Sequence, residues 1–190
     1  SGAKPPKRCP TISPSIQQIG YIRAPTFAEG YRYRGEGRCE LRRQGVDFIW
    51  LVLGEGDQRA ELEAMIHSYR LEQCFVLKGH VDNPYPYIKA ADVYVQPSRY
   101  EGYSLALQEA RIIAKPIVAS DVPSSREQII DGRNGILVRL DETALADGIS
   151  RLLGDSSLCG TLTANLRNER FDYEDQIQRL YSLIDNAGEE

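Results

Sequence analysis

Residues 93–120 run Val93-Tyr94-Val95-Gln96-Pro97-Ser98-Arg99-Tyr100-Glu101-Gly102-Tyr103-Ser104, continue through a helix-like stretch to Ala114, and close on Lys115-Pro116-Ile117-Val118-Ala119-Ser120. Val93 to Gln96 and Ile117 to Ala119 are short β-rich apolar runs. They are continuous rather than alternating, as expected of strands covered on both faces. The helical stretch Ser104 to Ala114 joins them, and a strand–helix–strand crossover in one sheet is right-handed with parallel strands.

Working outward, the same unit recurs. Phe48 to Leu53, Phe75 to Leu77 and Ile136 to Val138 are further strand candidates. Arg59 to Glu72 places Leu62, Met65, Ile66 and Tyr69 on one helical stripe. Ser124, with Glu127 three residues on, predicts a capping box opening another helix. After Val138 the pattern is purely helical: Leu145, Ile149 and Leu152, then Leu158, Leu162 and Leu166, then Ile177, Leu180, Tyr181 and Ile184 with Asp172 as N-cap. Upstream, Ser15 to Ile22 can hold a first strand and Tyr31 to Gln44 a first helix, although Gly35 and Gly37 each weaken that helix by about 1 kcal/mol against alanine. Pro5, Pro6, Pro10, Pro14 and Pro25 mark loop or linker. The expected fold class is α/β, a Rossmann-like parallel sheet between helices. Residues 1–14 form a linker or added leader, and 15–190 one domain whose helical C-terminal tail spans 142–190.

Composition agrees with one globular domain. The chain has 190 residues, 42% hydrophobic and 26% charged, which disfavours disorder, collagen-like repeats and coiled coils. Net charge is −4. Residues 1–45 carry nine basic and three acidic side chains, so the remainder is anionic, which argues against a general nucleic-acid binder. Cys9, Cys39, Cys74 and Cys159 are too far apart for a CxxC metal or redox pair and read as reduced thiols of a cytoplasmic protein. The longest strongly apolar run, Phe48 to Leu53, is far too short to cross a bilayer.

In an open parallel sheet, ligands bind beyond the carboxyl ends of the strands. After Leu53 comes Gly54-Glu55-Gly56-Asp57, whose glycines permit close backbone approach but lack the third glycine of a dinucleotide fingerprint; a plain turn serves as well. After Gln96 the loop runs directly into a helix, so the amides of Gly102, Tyr103, Ser104 and Leu105 lie where unpaired N–H groups and the helix dipole favour a phosphate. Glu101 beside an anion site is unfavourable unless it bonds hydroxyls or an amine. Glu109, one and a half turns into the helix, reaches the same ligand. A phosphate cradle with two flanking carboxylates suits a sugar and a ribose.

Glu101 and Glu109 within Pro97-Ser98-x-x-Glu101-Gly102-Tyr103-Ser104, followed by Ala114-Lys115-Pro116-Ile117-Val118-Ala119-Ser120, resemble the donor-binding signature of retaining glycosyltransferase family 4. The resemblance covers roughly residues 46–155 and implies one half of a GT-B enzyme, the C-terminal half that binds a nucleotide sugar. Carried over by position, it implies that Glu101 meets the donor sugar or reaction centre. It further implies that Gly102, Tyr103, Ser104 and Leu105 give amides to the diphosphate or sugar, that Glu109 binds ribose, that Gly54 lines the cleft, and that Val81 in Lys78-Gly79-His80-Val81 meets the nucleobase through its main chain. It implies sugar transfer to a glycan or lipid acceptor without metal or other cofactor, an acceptor site on an N-terminal domain outside this chain, and a cytoplasmic enzyme able to work peripherally at the inner face of a membrane.

The sequence departs from the family in two places. Val122 to Glu127 carries Ser124 and Ser125 where relatives often have Val-Gly-Gly-x-x-Glu. Near the start, Tyr21 stands where relatives place a diphosphate-binding Arg, and Glu29 stands for the Lys, with Arg23 a stand-in. Losing two such charge-assisted bonds, about 1.5 to 3 kcal/mol each, weakens donor affinity by roughly a hundredfold or more. Of the histidines, His67 reads as a surface residue, and His80 lies nearer the cleft. Trp50 reads as core, and Arg99 and Tyr100 as solvent-facing loop. The other readings are a GT-B-like sugar-nucleotide epimerase or phosphorylase half, for which no pyridoxal phosphate lysine stands out, and a non-catalytic scaffold module.

Overall fold

A computed structural model of the chain describes residues 17–22, 40–46, 48–56, 59–98 and 103–169. Their elements are β1 (Gln17–Ile22), α1 (Glu40–Arg43), β2 (Phe48–Leu53), α2 (Arg59–Ser68), β3 (Phe75–Gly79), α3 (Tyr85–Ala90) and β4 (Val93–Gln96). There follow α4 (Leu105–Ile112), β5 (Ile117–Ser120), α5 (Pro123–Arg126), β6 (Ile136–Val138), α6 (Glu142–Gly154) and α7 (Ser156–Arg167). The expected linker, the start of the first helix at Tyr31 and the third tail helix from Asp172 lie outside the described residues.

Every strand pairs in parallel, in the order β3-β2-β1-β4-β5-β6. The continuous apolar strands are explained by burial on two sides. Val93, Val95 and Val118 face a core built with Trp50, Leu62, Ile66, Ile149 and Leu162, which places α2, α6 and α7 on one face. Tyr94, Ile117 and Ala119 face a second core with Ile88, Leu107 and Ala110, which places α3 and α4 on the other. Trp50 is core, as expected: it is 1% exposed and stacks on Phe75 at 5.3 Å between ring centroids. Each such fully buried apolar side chain contributes about 1.5 to 3 kcal/mol.

Helix boundaries follow local chemistry. Ser104, Asp141 and Asp155 cap α4, α6 and α7 by accepting from the amides of Leu107, Ala144 and Leu158. Two helices stop at left-handed residues. Arg70 (φ 54°) and Ala114 (φ 57°) each allow paired closing hydrogen bonds, Leu71 N–H to Ile66 O with Arg70 N–H to His67 O, and Lys115 N–H to Ala110 O with Ala114 N–H to Arg111 O. The first of these ends α2 at Ser68, short of the expected Glu72.

Two sequence expectations need correction. Ser124 does not cap α5; Val122 does, with extended backbone and no side-chain bond, because Pro123 has no amide to satisfy and its fixed φ starts the helix two residues earlier. The helix α3 is not among the elements expected from the sequence. Pro84 and Pro86 fall at its start, where no amide is needed, and Asn83 Oδ1 accepts from Tyr85 N–H at 3.1 Å.

Candidate functional site

The strand order reverses between β1 and β4. Strands β2 and β3 extend one way from β1, and β5 and β6 extend the other way from β4. Crossover helices leave to opposite faces at that point, so the carboxyl ends of β1 and β4 border a crevice. The seam is narrow: β1 meets β4 through Ile19↔Val93 and Gly20↔Tyr94, while Tyr21 and Ile22 continue against Val52 and Leu53 of β2. The loop between β4 and α4 therefore leaves the sheet at the crevice. Its centre, including Glu101 and Gly102, lies outside the described residues, as does Arg23.

Both ends of that loop are well defined. On entry, Tyr94 Oη donates to Gln96 Oε1 at 2.6 Å, and Gln96 Nε2 donates to Ser98 Oγ at 2.9 Å. Ser120 Oγ, at the end of β5, donates to Gln96 O at 3.3 Å. On exit, the backbone of Ser104 is extended and its hydroxyl caps the helix, so α4 begins at Leu105. The first amides of α4 have no carbonyl one turn back to bond, and the dipole adds about half a positive charge at that end. Tyr103 and Leu105 flank this end and are exposed at 48% and 60%.

Glu109 lies one turn into α4 and is half-buried. Its Oε1 accepts from the phenol of Tyr85 at 3.2 Å, which ties the start of α3 to the middle of α4. Tyr103, Ser104, Leu105 and Glu109 are thus brought together at one helix end. Gly54 and Val81 stand on the far side of β1, after β2 and β3. Gly54 has φ 115°, a conformation that requires glycine, and its N–H donates to Gly79 O at 2.7 Å, joining the two turns. Val81 is half-buried at the margin of the cluster that holds Leu107.

Both histidines are exposed. His67 is a surface residue, as expected, with Nδ1 2.9 Å from Glu72, and His80 is 76% exposed and 3.4 Å from Asp82. Beyond β5, Arg126 grips Asp121 with two bonds of 2.6 and 3.0 Å, and this holds the Asp121 carboxyl below its usual range. Sequence reasoning did not find Tyr85, Gln96 or Gln128. Gln128 is 3% exposed, and its Nε2 donates to Ser104 O at 3.3 Å. Among the described residues no cluster of three His, Cys, Asp or Glu side chains could hold a metal ion, and no helix is long and apolar enough to cross a membrane.

Six parallel strands in this order, helices on both faces and a crevice at the reversal define a Rossmann-like domain of the GT-B type. The chain belongs to the family described as glycosyl transferases group 1, whose pattern matches residues 29–155. It is 31% identical over 155 residues to alpha-D-kanosaminyltransferase of Streptomyces kanamyceticus, covering 80% of this chain and 39% of that enzyme. The chain thus spans about two fifths of that relative's length. Among solved structures, Anabaena HepE in complex with UDP-glucose superposes with a TM-score of 0.76 at 20% identity, over 90% of this chain and 49% of HepE. Sucrose-phosphate synthase from Thermosynechococcus elongatus superposes with a TM-score of 0.73 at 28% identity, over 92% of this chain and 47% of the synthase.

Proposed function

We propose that this chain is the nucleotide-sugar-binding, C-terminal domain of a retaining glycosyltransferase that moves a hexose-like sugar from a nucleoside diphosphate sugar to a glycan or lipid acceptor. The observation that carries this reading is the position of the β4–α4 loop. The segment with the two-glutamate signature leaves the sheet at the strand-order reversal and ends in a capped helix start. The UDP-glucose complex of HepE, similar in fold, supports the same class of ligand.

In this reading the amides of Gly102, Tyr103, Ser104 and Leu105 hold the diphosphate and stabilise the charge that develops on it as the glycosidic bond to the leaving group breaks. Glu101 orients the donor sugar by accepting from its hydroxyls. Glu109 accepts from the ribose hydroxyls, with one carboxylate oxygen already steadied by Tyr85. Gly54 and the main chain of Val81 line the nucleobase side. The acceptor site belongs to a second, N-terminal domain of the same enzyme, and Tyr21 and Glu29 leave the diphosphate with less positive charge than relatives provide. No metal or cofactor enters the proposed chemistry.

Calorimetric titration of the chain with UDP and GDP tests the reading. Weak but measurable binding and no sugar transfer by the chain alone are expected. Submicromolar binding together with turnover by the chain would refute the division of labour, and no binding of either nucleotide would refute the ligand class. In the full-length enzyme, Glu101→Ala should lower transfer by about a hundredfold or more, the scale set by losing one preorganised transition-state contact.

A further inference from the structure

We infer that Gln96 and Gln128 are positioning residues that pin the two stems of the donor loop, Gln96 at its entry and Gln128 at its exit. The inference rests on the donor-binding reading of that loop and adds to it what holds the two described ends of the loop.

The entry stem is a directed chain of hydrogen bonds. Tyr94, Gln96 and Ser98 follow one another on a single face of β4 and its extension, and they are 0%, 1% and 3% exposed. The Tyr94 phenol donates to Gln96 Oε1, and Gln96 Nε2 donates to Ser98 Oγ. Gln96 thus links the Tyr94 hydroxyl in the core to Ser98 Oγ at the start of the loop. At the exit, Gln128 Nε2 donates to Ser104 O, the carbonyl of the residue that caps α4. Gln128 is itself anchored, because its main-chain carbonyl accepts from Asn134 Nδ2 at 3.2 Å.

Burial makes these contacts informative. An apolar side chain of similar size at either position would pack without any hydrogen-bonding demand, whereas a buried glutamine requires partners; Gln128 meets that demand through Nε2, while its Oε1 has none. Among the described residues eight polar side chains are buried, and Gln96, Ser98, Ser104, Ser120 and Gln128 are joined by hydrogen bonds at this one loop rather than dispersed through the core. The two glutamines reach the loop from different elements, one from the strand before it and one from the turn after α5. Together they tie its two ends to separate elements of the fold.

Gln96→Leu and Gln128→Leu in the full-length enzyme test this. Each should raise the donor KM, and the Kd for the nucleoside diphosphate, about three- to tenfold, the loss expected for one buried hydrogen bond. The acceptor KM should stay as in the parent. Amide exchange of the chain should quicken at residues 98–105 while β2 and β5 keep their protection. Tyr94→Phe keeps the ring in its core and removes only the phenol, so it still decides the question if a leucine variant fails to fold; it should move donor KM in the same direction. Unchanged donor KM and unchanged exchange at the loop would overturn the inference. So would donor and acceptor KM rising together with a lowered melting temperature, which is the mark of a purely structural role. A parent enzyme that binds no nucleoside diphosphate overturns the donor reading and this inference with it. A parent that binds normally beside unaffected variants overturns this inference alone.

Discussion

Arg70 adopts φ 54° at the end of α2, where an L side chain crowds the following carbonyl. Glycine tolerates that conformation, and Arg70 is exposed, so Arg70→Gly should stabilise the chain by about 0.5 to 1 kcal/mol, read from urea unfolding. Lys115 shows a different local cost. Half-buried after α4, its ammonium donates to Ala91 O, and burial pushes its pKa below the ordinary lysine value, with Asp92 acting the other way. Between the lowered value and the ordinary one, the native chain has released a proton that the unfolded chain still holds. The unfolded state binds more protons there, so stability should climb with pH through that alkaline window. Lys115→Met should abolish the climb, which unfolding midpoints at stepped alkaline pH would show.

At the scale of elements, helix α6 packs so closely on the sheet that a Cβ on Gly148 would meet Val138 Cγ1 at 2.8 Å and Val118 Cγ1 at 3.2 Å. Gly148→Ala should therefore destabilise by about 1 to 2 kcal/mol, because overpacking outweighs the gain in helix propensity. Gly160 in α7 faces open space, and Gly160→Ala should stabilise by about 0.5 to 1 kcal/mol; the pair is compared by chemical denaturation. The strands were legible in the sequence because burial on two faces leaves runs such as Val93 to Gln96 without polar interruption. The helix α3 was not, because prolines that break a helix interior also start one, and only neighbouring structure separates the two. Ser124 misled for a related reason: a capping pattern competes with a proline one residue earlier, and the proline won.

At the scale of the molecule, the crevice at the strand-order reversal was legible while the contacts that brace its rim were not. A polar, glycine-containing loop between a buried strand and a helix marks the crevice of a parallel sheet, and Ser104 announces the helix start. The contacts that hold Glu109 and Ser104 come from Tyr85 and Gln128, each 24 residues away, and no local pattern encodes such a pairing. The order of strands carries one more consequence. The first of the described strands lies inside the sheet, and Gly20 waits for Tyr94, 74 positions later, before its second edge is covered. At ribosomal speeds that delay is roughly 4 to 15 seconds, during which the nascent chain presents an open backbone edge to its surroundings. Until β4 emerges, the β1 edge is the place where a wrong strand could pair with this domain.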